Sequence, residues 1–181
     1  MKTIARNRDW KNDFSLFSKD IEVVPNSVLV NGNVAAALID MADFEKDSVT
    51  KAGELKRGVR LLNKATDLHP TYVAAYLNKG IAYFKLGMPD SSKINFDTVA
   101  KLYPNHPKLG ESYYNLGVAF YMKRRYQDAF AAWQATLKQD PNYTMAKNAI
   151  YVLSQEMARA QQMQQQQEQG QQSTQQPKQG K

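Results

Sequence analysis

The stretch Tyr76-Leu77-Asn78-Lys79-Gly80-Ile81-Ala82-Tyr83 is met again, in outline, at Tyr113-Tyr114-Asn115-Leu116-Gly117-Val118-Ala119-Phe120. In each, an aromatic is followed by Asn, then Gly, then Ala, then a second aromatic. Self-similarity of this kind restricts the fold more than any local propensity does. Each copy is one unit that cannot bury its apolar face alone and must stack on the next. Each copy precedes a second stretch of helical periodicity, Ser92 to Leu102 and Ala129 to Leu137, and each of these runs into a proline, Pro104 and Pro141. Proline disfavours helix at the residue before it and cannot continue one. The sequence therefore predicts stacked helix pairs. Gly80 and Gly117 stand slightly further apart than a period of about 34 residues, and Pro107-Lys108-Leu109 reads as a short insertion between units.

The pattern resembles the tetratricopeptide repeat. Val73 to His106 supplies Tyr76, Gly80, Tyr83, Gly87, Ser92, Phe96 and Pro104 at that family's positions; Lys79 replaces the usual aliphatic residue and Val99 the usual Ala. Gly110 to Tyr143 supplies Tyr113, Leu116, Gly117, Phe120, Ala129, Trp133 and Pro141, with Thr136 in place of Ala. The resemblance implies an all-α fold, antiparallel helix pairs stacked into a right-handed superhelix, and a protein that binds other proteins. Small residues let the paired backbones approach, and the aromatics fill the space around that contact.

The flanks extend the pattern. Residues 27–70 read as a stretched repeat: Val34, Ala35 and Leu38 fit a first helix, and Gly58, Leu62, Ala65 and Pro70 a second. Pro25 to Pro70 exceeds one period by roughly eleven residues. The excess near Phe44 to Gly53 reads as longer helices with a widened turn, a protruding loop being the alternative. The other expected units are a repeat at 71–106, a repeat at 110–143 and a capping helix at 144–160 on Ala146, Ile150 and Leu153. Residues 161–181, rich in Gln, read as a disordered tail whose first residues extend the cap to about Glu168.

After an N-terminal extension at 1–9, residues 10–25 form half a repeat. Trp10, Phe14, Phe17 and Ile21 share a helical face, and Pro25 closes it, so this is a second helix without its first. Residues 4–30, with Arg6-Asn7-Arg8-Asp9-Trp10-Lys11, Leu16-Phe17 and Pro25-Asn26-Ser27, resemble the start of the repeat region in polytopic membrane glycosyltransferases of the O-mannosyltransferase type. That resemblance implies a segment of a larger membrane protein on the outer face. The cations Lys2, Arg6, Arg8 and Lys11 beside a membrane helix would instead favour the cytoplasmic face. A self-standing adaptor would be cytoplasmic.

Composition removes several chemistries. The 181-residue chain has no Cys, so disulfides, thiolate metal sites and a Cys nucleophile are excluded. Its net charge of +7 is spread along the chain, with clusters at Lys56-Arg57-Arg60 and Lys123-Arg124-Arg125. Without a base-stacking module these read as solvated faces, and no nucleic-acid partner is expected. No apolar run reaches the ~18 residues of a membrane span, and MKTIARNRDW lacks the apolar centre of a signal peptide. A membrane connection would come only through a preceding region. His69 and His106 sit in equivalent loops and lack ligand partners at helical spacing, Asp43, Glu45 and Asp47 read as capping or solvated, and the glycines are isolated. No enzyme activity, metal or cofactor is expected.

A superhelix of this kind presents a concave face lined by its first helices. The residues expected there are Leu77, Ile81, Phe84 and Lys85 in one unit, Tyr114, Val118, Tyr121 and Met122 in the next, and Asn148 in the cap. Ala74, Glu111, Met145 and Val152 flank them, and Leu29, Gly32, Ala36 and Ile39 continue the face into the stretched unit. This apolar and aromatic face suits an extended or helical peptide. Self-association is a variant of that reading; closure of the superhelix, or the C-terminal helix lying in the groove, is the alternative. Some members of the family grip a C-terminal carboxylate with Lys and Asn on the first unit. Gly32 and Ala36 stand there here, which argues against that mode.

Overall fold

A computed structural model describes the backbone of residues 19–174 and the side chains of residues 19–167. Trp10, Phe14, Phe17 and most of the N-terminal resemblance lie outside the described residues. A helical stretch at 19–23 leads into a turn at Pro25-Asn26. Seven helices follow: α1 (Val28–Met41), α2 (Ser48–Leu68), α3 (Val73–Lys85), α4 (Pro89–Leu102), α5 (Leu109–Met122), α6 (Tyr126–Gln139) and α7 (Thr144–Thr174). There is no strand among the described residues.

Local chemistry sets the helix ends. Ser27 Oγ accepts the Val30 amide at 3.3 Å and Asp47 Oδ2 accepts the Thr50 amide at 2.6 Å, so both early helices have side-chain N-caps. Pro89 opens α4 at the position where its missing N–H costs nothing. The helices α3 and α5 end alike. After α3, Gly87 takes φ 71°, and the Met88 amide reaches back to the Tyr83 carbonyl. After α5, Arg124 takes φ 58°, and the Arg125 amide reaches back to Phe120. Both are left-handed C-terminal caps of the Schellman type, one with Gly and one without.

The helices pair as α1 with α2, α3 with α4 and α5 with α6, and each second helix packs on the next first helix. First helices also touch, α1 with α3 and α3 with α5. The result is an all-α solenoid. Two buried clusters run through it. One, on α1 to α3, centres on Ala35, Ile39, Leu55, Leu62 and Ala82; the other, on α3 to α7, on Phe96, Leu109, Leu116, Phe120 and Trp133. Ile81 packs against both and joins them.

The glycines permit the pairing. A Cβ at Gly80 would overlap the Phe96 ring, and one at Gly117 would overlap the Trp133 ring. The same position in α7, one period of about 34 residues after Gly117, is Tyr151, which is 66% exposed. Lys147 and Ser154 stand where α5 has Tyr113 and Phe120, and both are exposed. Thus α7 buries one face through Ala146 and Leu153 and turns a polar one outward.

The sequence reading and the structure part at three places. The excess of the first unit lies in α2, 21 residues against 14 in α4 and α6, and in the turn at 42–47, while α1 has an ordinary 14. Leu109, read as insertion, is fully buried at the first turn of α5. The terminal helix, expected to run on to about Glu168, continues to Thr174, a few residues into the stretch expected to be disordered. Gln keeps its rotamer freedom in a helix and propagation needs no new nucleus, so a helix started on a packed face continues.

Candidate functional site

Two hollows lie along the face lined by the first helices and α7. The first, of about 390 Å³, lies between α5 and α7. Its floor is Trp133, only 4% exposed, which reaches this depth because Gly117 has no side chain. The indole N–H donates to the Tyr114 carbonyl at 3.2 Å, fixing the ring. Tyr121 lies beside the indole with ring centroids 6.0 Å apart, and Tyr114 beside Tyr143 at 5.3 Å. Met145, Asn148, Ala149 and Val152 of α7 form the opposite wall. The Tyr121 hydroxyl donates to both Glu156 oxygens, at 2.9 and 3.1 Å, and so ties α5 to α7. That bond raises the Tyr121 pKa, and burial raises that of Tyr143. Both phenols are neutral at physiological pH, which suits a hollow with an apolar lining. The helix α7 is thus a wall of the hollow and does not lie across it.

The second hollow, of about 400 Å³, lies further along the inner side. Ile81, Phe84 and Phe96 give it an apolar base, and Asp43, Lys85, Lys108, Glu111, Ser112 and Asn115 a polar rim. Lys85 is already engaged: its Nζ donates to the Ile39 carbonyl at 3.0 Å and to Asp43 Oδ2 at 2.8 Å. A cation at the C-terminal end of α1 complements the helix dipole, so this lysine holds α3 to α1.

The residues expected on the concave face divide accordingly. Tyr114, Tyr121 and Asn148 meet in the first hollow; Ile81, Phe84 and Lys85 meet in the second. Val118 is half-buried against the core between them. Leu77, Gly32 and Ile39 are buried in packing, because in closely stacked first helices these positions face a neighbouring helix instead of the groove. Gly32 lies under the Tyr72 ring. Met122 is 79% exposed but at the helix end, in neither hollow. Glu156 and Lys108 were not singled out from sequence as groove residues, and Asn115 was read as an ordinary residue of the repeat. Glu156 follows Met145, Asn148 and Val152 along α7 at helical spacing, so the signal was present.

The histidines lie in the loops between pairs. His69 Nδ1 is 3.2 Å from the Thr71 hydroxyl. His106 Nδ1 accepts the Lys108 amide at 3.2 Å, and burial followed by the Lys108 charge lowers its pKa. Each nitrogen serves a turn. Among the described residues no group of three or more His, Asp or Glu is placed to hold a metal ion, and no helix is long and apolar enough to cross a membrane.

Comparison with known proteins identifies the repeats. The tetratricopeptide repeat family is matched at residues 74–106 and again at 110–143. The chain is 25% identical over 114 residues to the small glutamine-rich tetratricopeptide repeat-containing protein 2 of Mycosarcoma maydis, covering 63% of this chain and 32% of that protein. It is 26% identical over 104 residues to the protein O-mannosyl-transferase TMTC3 of Mus musculus, covering 58% of this chain and 10% of that protein. The chain therefore spans a minor part of the length of these curated relatives. The crystal structure of MamA is similar in fold, with a TM-score of 0.64, 18% identity, and coverage of 80% of this chain and 77% of that one. Residues 74–106 and 110–143 are tetratricopeptide repeats, set in an all-α solenoid of the kind that family builds.

Proposed function

We propose that this chain is a non-catalytic binding module that holds a peptide segment of a partner protein in the hollow between α5 and α7. The observation that carries the reading is the lining: Tyr114, Tyr121, Trp133, Met145 and Val152 around one opening, with the Asn148 side chain exposed at its wall. Buried aromatic anchors of this kind carry most of the energy in protein recognition. Peptides selected from a displayed library on the whole chain should bind with an apolar side chain in the hollow. Met145→Glu with Val152→Glu puts charges into the wall at two half-exposed sites, leaving the fold intact by circular dichroism. The double variant should lose the selected peptides, and unchanged affinity would place the site elsewhere. His69→Ala with His106→Ala should leave binding as it is; an activity lost with these two would speak for an enzyme.

The chain's partial coverage of its relatives, with the similarity to an O-mannosyl-transferase named TMTC3, supports a second reading. In it the module is part of a larger membrane protein. An antibody raised to this chain decides between them: a native band far above 20.5 kDa in the membrane fraction supports the segment, and a soluble band of that mass supports the self-standing adaptor.

A further inference from the structure

Oxidants find no thiol in this chain, which has no Cys. Its sulfur chemistry rests on methionine thioethers, and those in solvent react first. Apart from Met1, which lies outside the described residues, every methionine is exposed: Met41, Met88, Met122, Met145, Met157 and Met163. Of these, Met145 alone lines the hollow between α5 and α7.

Helical spacing puts it there. Met145, Asn148, Ala149 and Val152 stand at i, i+3, i+4 and i+7 along α7 and share the face that walls the hollow. Met145 is 54% exposed, so it is open to a small oxidant while forming part of an apolar wall. Donors at the floor are already spent. The Trp133 indole N–H donates to the Tyr114 carbonyl at 3.2 Å, and the Tyr121 hydroxyl to Glu156 at 2.9 Å. The Asn148 amide, one turn beyond Met145, makes no hydrogen bond among the described residues.

We infer that Met145 is a redox-sensitive modification site that controls the hollow; the inference rests on the peptide-binding role proposed above. As a thioether, Met145 is part of the surface that an apolar anchor covers. Hydrogen peroxide converts it to the sulfoxide. A sulfur lone pair attacks one peroxide oxygen, and the O–O bond breaks as the S–O bond forms. The proton of the attacked oxygen passes to the leaving hydroxide, which departs as water. Sulfur loses two electrons and the peroxide gains them. The new oxygen is a strong acceptor, solvated by water, with the Asn148 amide within one turn of it. An apolar anchor entering the hollow must strip that water and cover the dipole, which costs affinity. Enzymatic reduction of the sulfoxide restores the wall.

Peptides selected on the reduced whole chain are the probe. After treatment with hydrogen peroxide, with mass spectrometry to locate each added oxygen, the chain should bind them about tenfold more weakly at unchanged helicity. Methionine sulfoxide reductase should restore the affinity. Met145→Leu is compared with itself: peroxide should leave its affinity where it started. Met122→Leu with Met163→Leu, both outside the hollow, should lose affinity on oxidation as the natural sequence does. Equal affinity of the reduced chain and the chain carrying Met145 sulfoxide would overturn the inference and leave the peptide site standing. So would a loss that persists in Met145→Leu, or a Met145 left unoxidised where Met122 is oxidised. A reduced chain that captures no peptide would overturn the peptide site itself, and this inference with it.

Discussion

Gly117 and Arg124 lie on the same helix and its turn, and side-chain size acts oppositely at the two. At Gly117 any side chain meets Trp133, so Gly117→Ala should destabilise the protein by about 1–3 kcal/mol, the cost of overpacking, in denaturant unfolding. At Arg124 the backbone is left-handed, a conformation that costs a residue with a Cβ about 1–2 kcal/mol. Arg124→Gly removes that strain but frees the unfolded chain by about 0.5–1 kcal/mol, and the net should be a gain of roughly half a kcal/mol or more. The Gly at 117 was legible in the sequence because it recurs at 80 in one frame. The strain at 124 was not, since no residue type announces positive φ when Gly is absent. Lys79 shows the limit of the repeat as a guide. It replaces the aliphatic residue that at Leu116 is fully buried, and it keeps its amine 5.3 Å from the Tyr76 ring centroid at the cost of a pKa lowered chiefly by burial.

At the scale of elements, second helices hold first helices by an aromatic and by polar clamps. Trp133 contributes to both the α5–α6 pair and the floor of the hollow, so Trp133→Ala should cost about 3–5 kcal/mol and abolish peptide capture together. Between pairs, the Tyr113 hydroxyl of α5 donates to Asp97 of α4 at 2.8 Å, with the rings of Tyr113 and Phe96 edge to face at 6.1 Å. Burial first, and the Asp97 carboxylate second, raise the Tyr113 pKa well above 10.0. The unfolded phenol ionises near pH 10 while the folded one keeps its proton, so the folded state binds more protons there. The stability from this clamp is complete below that pH and is lost as pH rises past it. Unfolding measured across this range should fall less steeply for Tyr113→Phe than for wild type. The pairing of elements was legible because the aromatic and small positions alternate between helices in both repeats. The burial of Leu77 was not, because it depends on how closely neighbouring first helices approach, a distance that spacing along one helix does not encode.

At the scale of the molecule, stability in a solenoid is close to a sum of neighbouring contacts. Residues 161–167 of α7 are exposed along their length, so a chain ended after Ala160 should melt within about 2 °C of the full chain while losing helical ellipticity. A larger drop would mean that the glutamine-rich part packs on the body in solution. The sequence pointed to the solenoid from two copies of one pattern, and to its terminal helix from the apolar stripe on Ala146, Ile150 and Leu153. It did not reveal where α7 stops, because a run of glutamines carries neither an apolar stripe nor a capping signal to mark an end.

Repeat arrays lengthen in evolution, and in the laboratory, by inserting whole units. Tyr151 is a lock against that at this end. A helix added after α7 would bring its aromatic to the spot where α3 and α5 offer Gly80 and Gly117, and would find a phenol ring there. Tyr151, with Lys147 and Ser154 where α5 has Tyr113 and Phe120, leaves α7 without the surface that receives a second helix.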